Sequence, residues 1–466
     1  MKKIYFIIML VLAGVFAQAQ TSVWDGTRQI WTNGSGTQDD PYLIESASNL
    51  AFLSYMVGKA YDTYGLYFKL TTDIDLNGSE DLQWIPIGLY NRAYDEDGCE
   101  RNACPVFVSR EDLAFKGHFD GDNHNISNLY VNKDLNNYSA GLFGFVAFDA
   151  VIENVIVTNG IVKGVYSGGI VGTCWDSRDS VLISRCLNGA DIEGSRAGGI
   201  VGKSANKVYN CKNTGWVYGR VAAGGIVGES VKEVVECSNS GNIMGDGFVG
   251  GLIGGGPSLR TYIVNNCYNT GDISSAGINV PNGAPGIIGG LVGLSYKSGT
   301  ITNCYNVGTV SCSNEDYEPG ALAGRFGEII TNSYYLNTCG GVGNDSVDWS
   351  KTADEMRDPA FVDVLNFETN VWCADTLNSN DGYPILGANN LEVEDVVAKP
   401  LAMYPNPSHG HFTVEGTGFV VVINVLGQQV LARRIEGPTM VELPQGVYFV
   451  RLQNENEVRT GKIVVN

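Results

Sequence analysis

Cysteine is the residue of this sequence whose spacing most invites chemistry. Cys186, Cys211, Cys237, Cys267 and Cys304 recur at one position of a repeat, which Val155 opens and Ser333 continues. Thiols in such a series could hold zinc or form disulfides. Zinc requires about four donors converging as a tetrahedron, whereas one thiol per repeat gives parallel side chains along a line. Cα atoms ~4.8 Å apart fall within disulfide range, but parallel Cβ vectors oppose the near-90° torsion that a disulfide needs. The five are therefore expected to form a reduced, buried ladder. Cys99 and Cys104 bracket a short insertion and are the candidate disulfide, with Cys339 and Cys373 as a weaker pair.

Carboxylates come next, because pairs of them do general acid and base work and bind cations. Asp191 and Glu193 stand in one repeat, and Glu229, Glu233 and Glu236 in another. They do not recur at matching positions, so they read as a solvated face. Asp73-Ile74-Asp75-Leu76-Asn77-Gly78 begins like a calcium loop, yet its twelfth position is Trp84 instead of a bidentate glutamate. A strand followed by an Asx-type turn is expected there, and also at Asp120-Gly121-Asp122-Asn123. The four histidines, His118, His124, His409 and His411, build no H-E-x-x-H, and G-x-S-x-G is absent. The Gly-Gly pairs lack the helix and lysine of a phosphate loop. No catalytic residue, metal or cofactor is expected. Tyr268, Tyr305 and Tyr334 follow the ladder position by one and should point outward, as a candidate ligand wall on which sugar rings stack. Tyr296 and Tyr335 are grouped with them, and cross-strand packing is the competing account.

The elements that must carry these side chains are repeats of about 25 residues. Gly168-Gly169-Ile170-Val171-Gly172 returns at Gly198, Gly224, Gly250 and Gly289, with weaker copies at 140–144 and 320–324. After each copy come an alternating stretch, the cysteine, an asparagine, a Gly-centred turn and another short apolar segment. Each unit reads as three short strands, which bury one face only by stacking on their counterparts. The expected fold is all-β: a parallel β-helix solenoid with capping segments, followed by a small β-sandwich. Paired glycines fit either positive φ or close approach of successive backbones. Ser46 to Leu53 and Ala353 to Asn366 are helical candidates at the two ends.

The 466 residues hold 30 Lys+Arg against 50 Asp+Glu, a net charge of −20, which argues against nucleic acid and anionic membrane as partners. Residues 1–19 read as a signal peptide, with Lys2 and Lys3 ahead of an apolar run and a small-x-small site at Ala17 to Ala19. No other segment has the ~18 apolar residues of a membrane span, and no cysteine stands at the cleavage site. All 11 cysteines lie beyond the leader, where an oxidising compartment permits disulfides.

The glycine-centred repeats resemble the GLUG motif family of adhesin-like and peptidase-like surface proteins, over roughly residues 141–335. Asp73 to Leu76, Trp84 to Gly88 and Phe115 to Gly121 resemble its lead-in. Tyr404-Pro405-Asn406-Pro407-Ser408-His409-Gly410, Asn424 to Gln428, Gly446 to Val450 and Lys462 to Val465 resemble the type A C-terminal sorting domain of type IX secretion substrates. That resemblance implies the type IX secretion machinery as a partner, passage through the periplasm across an outer membrane, and removal of the domain. The expected organisation is a cap and first coils at 20–139 with an insertion, repeats at 140–338, a C-terminal cap at 339–388, a linker at 389–400 and the sorting domain at 401–466. The leading function is a secreted or cell-surface, non-enzymatic, adhesin-like protein that binds an extracellular glycan or host protein. The alternative is a β-helix polysaccharide lyase or glycoside hydrolase.

Overall fold

The computed structural model describes residues 21–89, 110–132, 139–175, 180–255, 261–275, 287–294, 299–313, 319–325, 329–341, 349–387, 399–424, 429–453 and 458–466. The signal peptide, the candidate Cys99–Cys104 disulfide, Tyr296 and nearly all of the linker lie outside them. The chain forms two compact units, Met1–Asn389 and Asn390–Asn466.

Unit one is a parallel β-helix. Alternation dictates it: in the column Phe68, Phe119, Ile152, Ile183, Val208, Val234, Val264 and Ile301, each residue is the direct parallel partner of the next and all are buried. Their chain neighbours, such as Lys207 and Tyr209 or Glu233 and Val235, face the other way. Strands of one coil lie on those of the next in three long sheets of eleven, fifteen and ten strands, which enclose one continuous apolar column. Each fully buried Val or Ile contributes roughly 1.5–3 kcal/mol relative to exposure, so the stack is stabilised coil by coil.

Helix α1 (Ala47–Val57) covers the first coils. The Ser46 side chain caps it by accepting from the Asn49 amide, and Ala47, Leu50, Leu53 and Val57 enter the core. Helices α2 (Ala353–Arg357) and α3 (Pro359–Leu365) follow the last coils. Thr352 and Glu355 form a capping box on α2, and Asp358 with Pro359 starts α3.

Unit two pairs a five-stranded with a three-stranded sheet, antiparallel apart from the short Lys399–Pro400 strand. Phe412, Val414, Val420, Val422, Val450 and Ile463 fill its core. It is a small β-sandwich.

Candidate functional site

Two side-chain ladders run through the coil. Cys186, Cys211, Cys237, Cys267 and Cys304 are fully buried, and each thiol donates to the carbonyl two residues back, at 3.2, 3.3, 3.3, 3.2 and 3.1 Å. The Cys211, Cys237 and Cys267 amides donate to the sulfur one coil on, and the Cys304 amide donates to Ser333 Oγ. The thiols thus complete the hydrogen bonding of a corner. Burial, with the neighbouring thiols, holds Cys186, Cys211, Cys237 and Cys267 well above the ordinary thiol pKa, so they stay protonated. The nine cysteines among the described residues are thiols, not disulfides. Cys339 and Cys373 are therefore not bridged: Cys339 sits in the coil core while Cys373 is exposed.

Two residues beyond the thiols lies a ladder that the sequence reading passed over. Asn188, Asn213, Asn239 and Asn269 each donate Nδ2 to the Oδ1 of the next, at 2.8, 2.8, 2.7 and 2.8 Å, and Asn306 ends the series. All five are fully buried, and each also donates to the carbonyl two residues on. The recurring Cys-x-Asn spacing was its signal. The ladder also settles what the paired glycines do. A Cβ at Gly199 would lie 2.3 Å from Asn213 Cγ, and at Gly225 2.3 Å from Asn239 Cγ, so close approach is the constraint. Positive φ falls instead on the residue before each corner thiol, at Arg185, Asn210, Glu236, Asn266 and Asn303.

The tyrosine wall needs correction. Tyr268, Tyr305 and Tyr334 are partners in successive strands and point away from the coil interior, but solvent does not reach them as a wall. Tyr305 is 0% and Tyr268 8% exposed, because Met356, Phe361, Leu365, Trp372, Tyr383 and Leu386 of the C-terminal cap pack over them. The Tyr268 and Tyr305 rings stack at 5.1 Å and 8°, and the Tyr305 hydroxyl donates to Pro384 O at 2.6 Å. The cap therefore lies across the outer side of the last coils. Tyr335 points the other way, into the core at the position where Asn306 stands one coil earlier.

The polar residues are dispersed. His118 Nε2 meets Glu153 Oε1 at 2.5 Å, and Arg185 closes on the other carboxylate oxygen. Those contacts, the His118 hydrogen bond foremost, hold Glu153 below the ordinary carboxylate range. His124 Nδ1 lies 3.0 Å from Asp73, while Asp75 and Asp120 cap backbone amides and accept from Asn128 and Asn154. Those are turn contacts. Glu193 pairs with Lys163 at 2.8 Å, Glu229 with Arg196, and Glu233 accepts from Tyr209, whose phenol is pushed up to about 12 by burial and that carboxylate. Asp191 and Glu193 belong to the ten-stranded sheet, Glu229 and Glu233 to the fifteen-stranded one. Among the described residues no three His, Cys, Asp or Glu are arranged to hold a metal ion. His409 and His411 are exposed in unit two.

The outward face of the ten-stranded sheet carries an aromatic pair that the sequence reading did not single out. Trp216 is 38% exposed, and the ring of Tyr218 lies parallel to it within 5°, centroids 5.9 Å apart. Tyr218 donates to Asp246 Oδ2 at 3.0 Å. Exposed Ile161 and Met244 lie on the same sheet.

Residues 402–466 match the secretion system C-terminal sorting domain, and residues 284–311 match the GLUG motif. A protein of Evansella cellulosilytica, provisionally named a Gly-rich membrane protein, is 28% identical over 182 residues, which is 38% of this chain and 17% of that protein. Halomucin of Haloquadratum walsbyi is 30% identical over 169 residues, 36% of this chain and 2% of its own length. This chain thus spans a small part of both relatives. A crystal structure of a protein from Bacteroides ovatus, provisionally named an immunoglobulin A1 protease, aligns with a TM-score of 0.48 and 19% identity over 76% of this chain and 95% of that one. The chain is a GLUG-bearing β-helix followed by a sorting domain that exports it through a type IX secretion system to the cell surface or beyond.

Proposed function

We propose that the β-helix serves outside the cell as a non-enzymatic binding protein, which presents an outer sheet face to an extracellular glycan or protein. The observation that carries this reading is how the coil's acids are used. Glu153, Glu229 and Glu233 on the fifteen-stranded sheet and Glu193 on the ten-stranded one are each engaged by a cation or phenol of a neighbouring coil, which supports a structural use of these carboxylates. General acid and base catalysis on a glycosidic bond needs two carboxyl groups set roughly 5–9.5 Å apart about the bond. A wall of stacked strands instead repeats its side chains every ~4.8 Å, which suits an extended partner held by many weak contacts.

The test is a binding screen of the purified mature protein against immobilised polysaccharides and extracellular matrix proteins, with reducing-end and peptide-hydrolysis assays on every hit. Saturable binding without turnover is expected. Turnover abolished by Glu153→Gln or Glu229→Gln would replace this reading with the enzyme reading.

A further inference from the structure

Trp216 is the exposed aromatic of a slot whose later members are polar. On the ten-stranded sheet, Ile192, Val217, Ile243, Ile273 and Val310 are partners in successive coils and face inward. The residues just before them are Asp191, Trp216, Asn242, Asp272 and Thr309, and the two earlier coils place Tyr130 and Ile161 at the same slot. The polar members tie coil to coil: Asp191 accepts the Trp216 amide at 3.3 Å, Asn242 the Asp272 amide at 3.1 Å, and Asp272 both the amide and the hydroxyl of Thr309. An indole at this slot makes no side-chain hydrogen bond of that kind and remains more than a third exposed.

The indole is also held in place. Tyr218, two residues on and so on the same face, lies parallel to it and is anchored by its hydroxyl on Asp246. A ring fixed before binding loses little conformational entropy on binding. A flat apolar surface of that size takes the C–H face of a pyranose, while Asp191 and Asn242, one coil to either side, offer oxygens and an amide to its hydroxyls. Charge narrows the ligand further. Asp191, Glu193 and Asp246 stand near the pair, Lys163 is engaged by Glu193 and Arg220 is the cation beside Tyr218, so the local excess is acidic and disfavours uronate or sulfate groups.

We infer that Trp216, backed by Tyr218, is a stacking site for a neutral glycan. This rests on the binding reading above and names its ligand class. Affinity electrophoresis of the mature protein through gels containing mannan, xylan or mixed-linkage β-glucan, with polygalacturonate and chondroitin sulfate as anionic probes, tests it. Retardation by at least one neutral polysaccharide is expected. Trp216→Ala should weaken that binding at least tenfold with the melting temperature within a few degrees of wild type, and Trp216→Phe, which keeps a ring, should retain most of it. If Trp216→Ala lowers the melting temperature, Trp216→Gln at matched stability replaces it. Undiminished affinity in these variants would overturn the site and leave the binding reading standing. Binding to the anionic probes alone, or to matrix proteins alone, would overturn the neutral-glycan assignment. Absence of any binding partner would overturn both.

Discussion

The thiol ladder shows how one side chain can serve packing and hydrogen bonding together. Each buried sulfur fills part of the apolar column, and each S–H finds a carbonyl at 3.1–3.3 Å. Ser333 occupies the same register, so a hydroxyl is compatible with the corner. Cys237→Ser should therefore cost only about 1 kcal/mol, whereas Cys237→Asp forces a carboxylate into the column and should unfold the coil, as read by chemical denaturation. In thiol labelling of the native protein, Cys373 should react and the five ladder thiols should not, until denaturant is added. Glu153 sets a pH dependence of definite sign. Its folded pKa is depressed by His118 first and then by Arg185, so its stabilisation is present above the unfolded carboxylate range and is lost as pH falls through the folded value. Glu153→Gln should lower the melting temperature at neutral pH and change little at pH below the folded value, so that the acid limb of a melting-temperature profile flattens.

At the level of elements, the C-terminal cap decides the fate of the tyrosines. A strand alone would present Tyr268, Tyr305 and Tyr334 to solvent, but α2, α3 and the segment to Leu386 close over them. Tyr305 becomes a core residue of that contact, hydrogen-bonded to Pro384 O and Asn380 Nδ2. Tyr305→Ala should thus destabilise by about 3–5 kcal/mol, the range of large aromatic deletions from cores, and should open the cap to limited proteolysis. Native stability after this change would contradict the packing described. At the corners, glycine, asparagine and thiol depend on one another. The asparagine amides bond from coil to coil only because Gly199 and Gly225 leave room for them.

The whole molecule divides its labour between two units of different topology. The coil, whose three long sheets pair in parallel throughout the described residues, carries the surface on which binding is proposed; the sandwich carries the export signal. Removal of residues 401–466 should leave the coil folded but confined to the periplasm, as read by cell fractionation and surface protease accessibility. Undiminished surface protein after that truncation would contradict the sorting assignment. The unit boundary at Asn389 and Asn390 makes independent folding of the coil the physical expectation behind this experiment.

Much of this was legible in the chain because repetition is a property of sequence. Gly-Gly every 25 residues or so, a thiol at one register and alternation between them specify stacked strands without reference to anything distant, since each coil touches only its neighbours. The sorting domain was legible for a similar reason, its motifs lying close together in 65 residues. Orientation relative to the coil also followed from spacing: one residue past an inward thiol must point outward. Exposure did not follow. Whether an outward side chain meets water depends on what packs on it, and Tyr305 and Trp216 differ only in that a segment about 50 to 80 residues further along the chain covers the first and nothing described covers the second. The same limit applies to Cys339 and Cys373, whose 34-residue separation carries no information about which lies in the core. Local pattern determined the coil and the ladders; contacts between segments distant in sequence determined which faces remain open to a ligand.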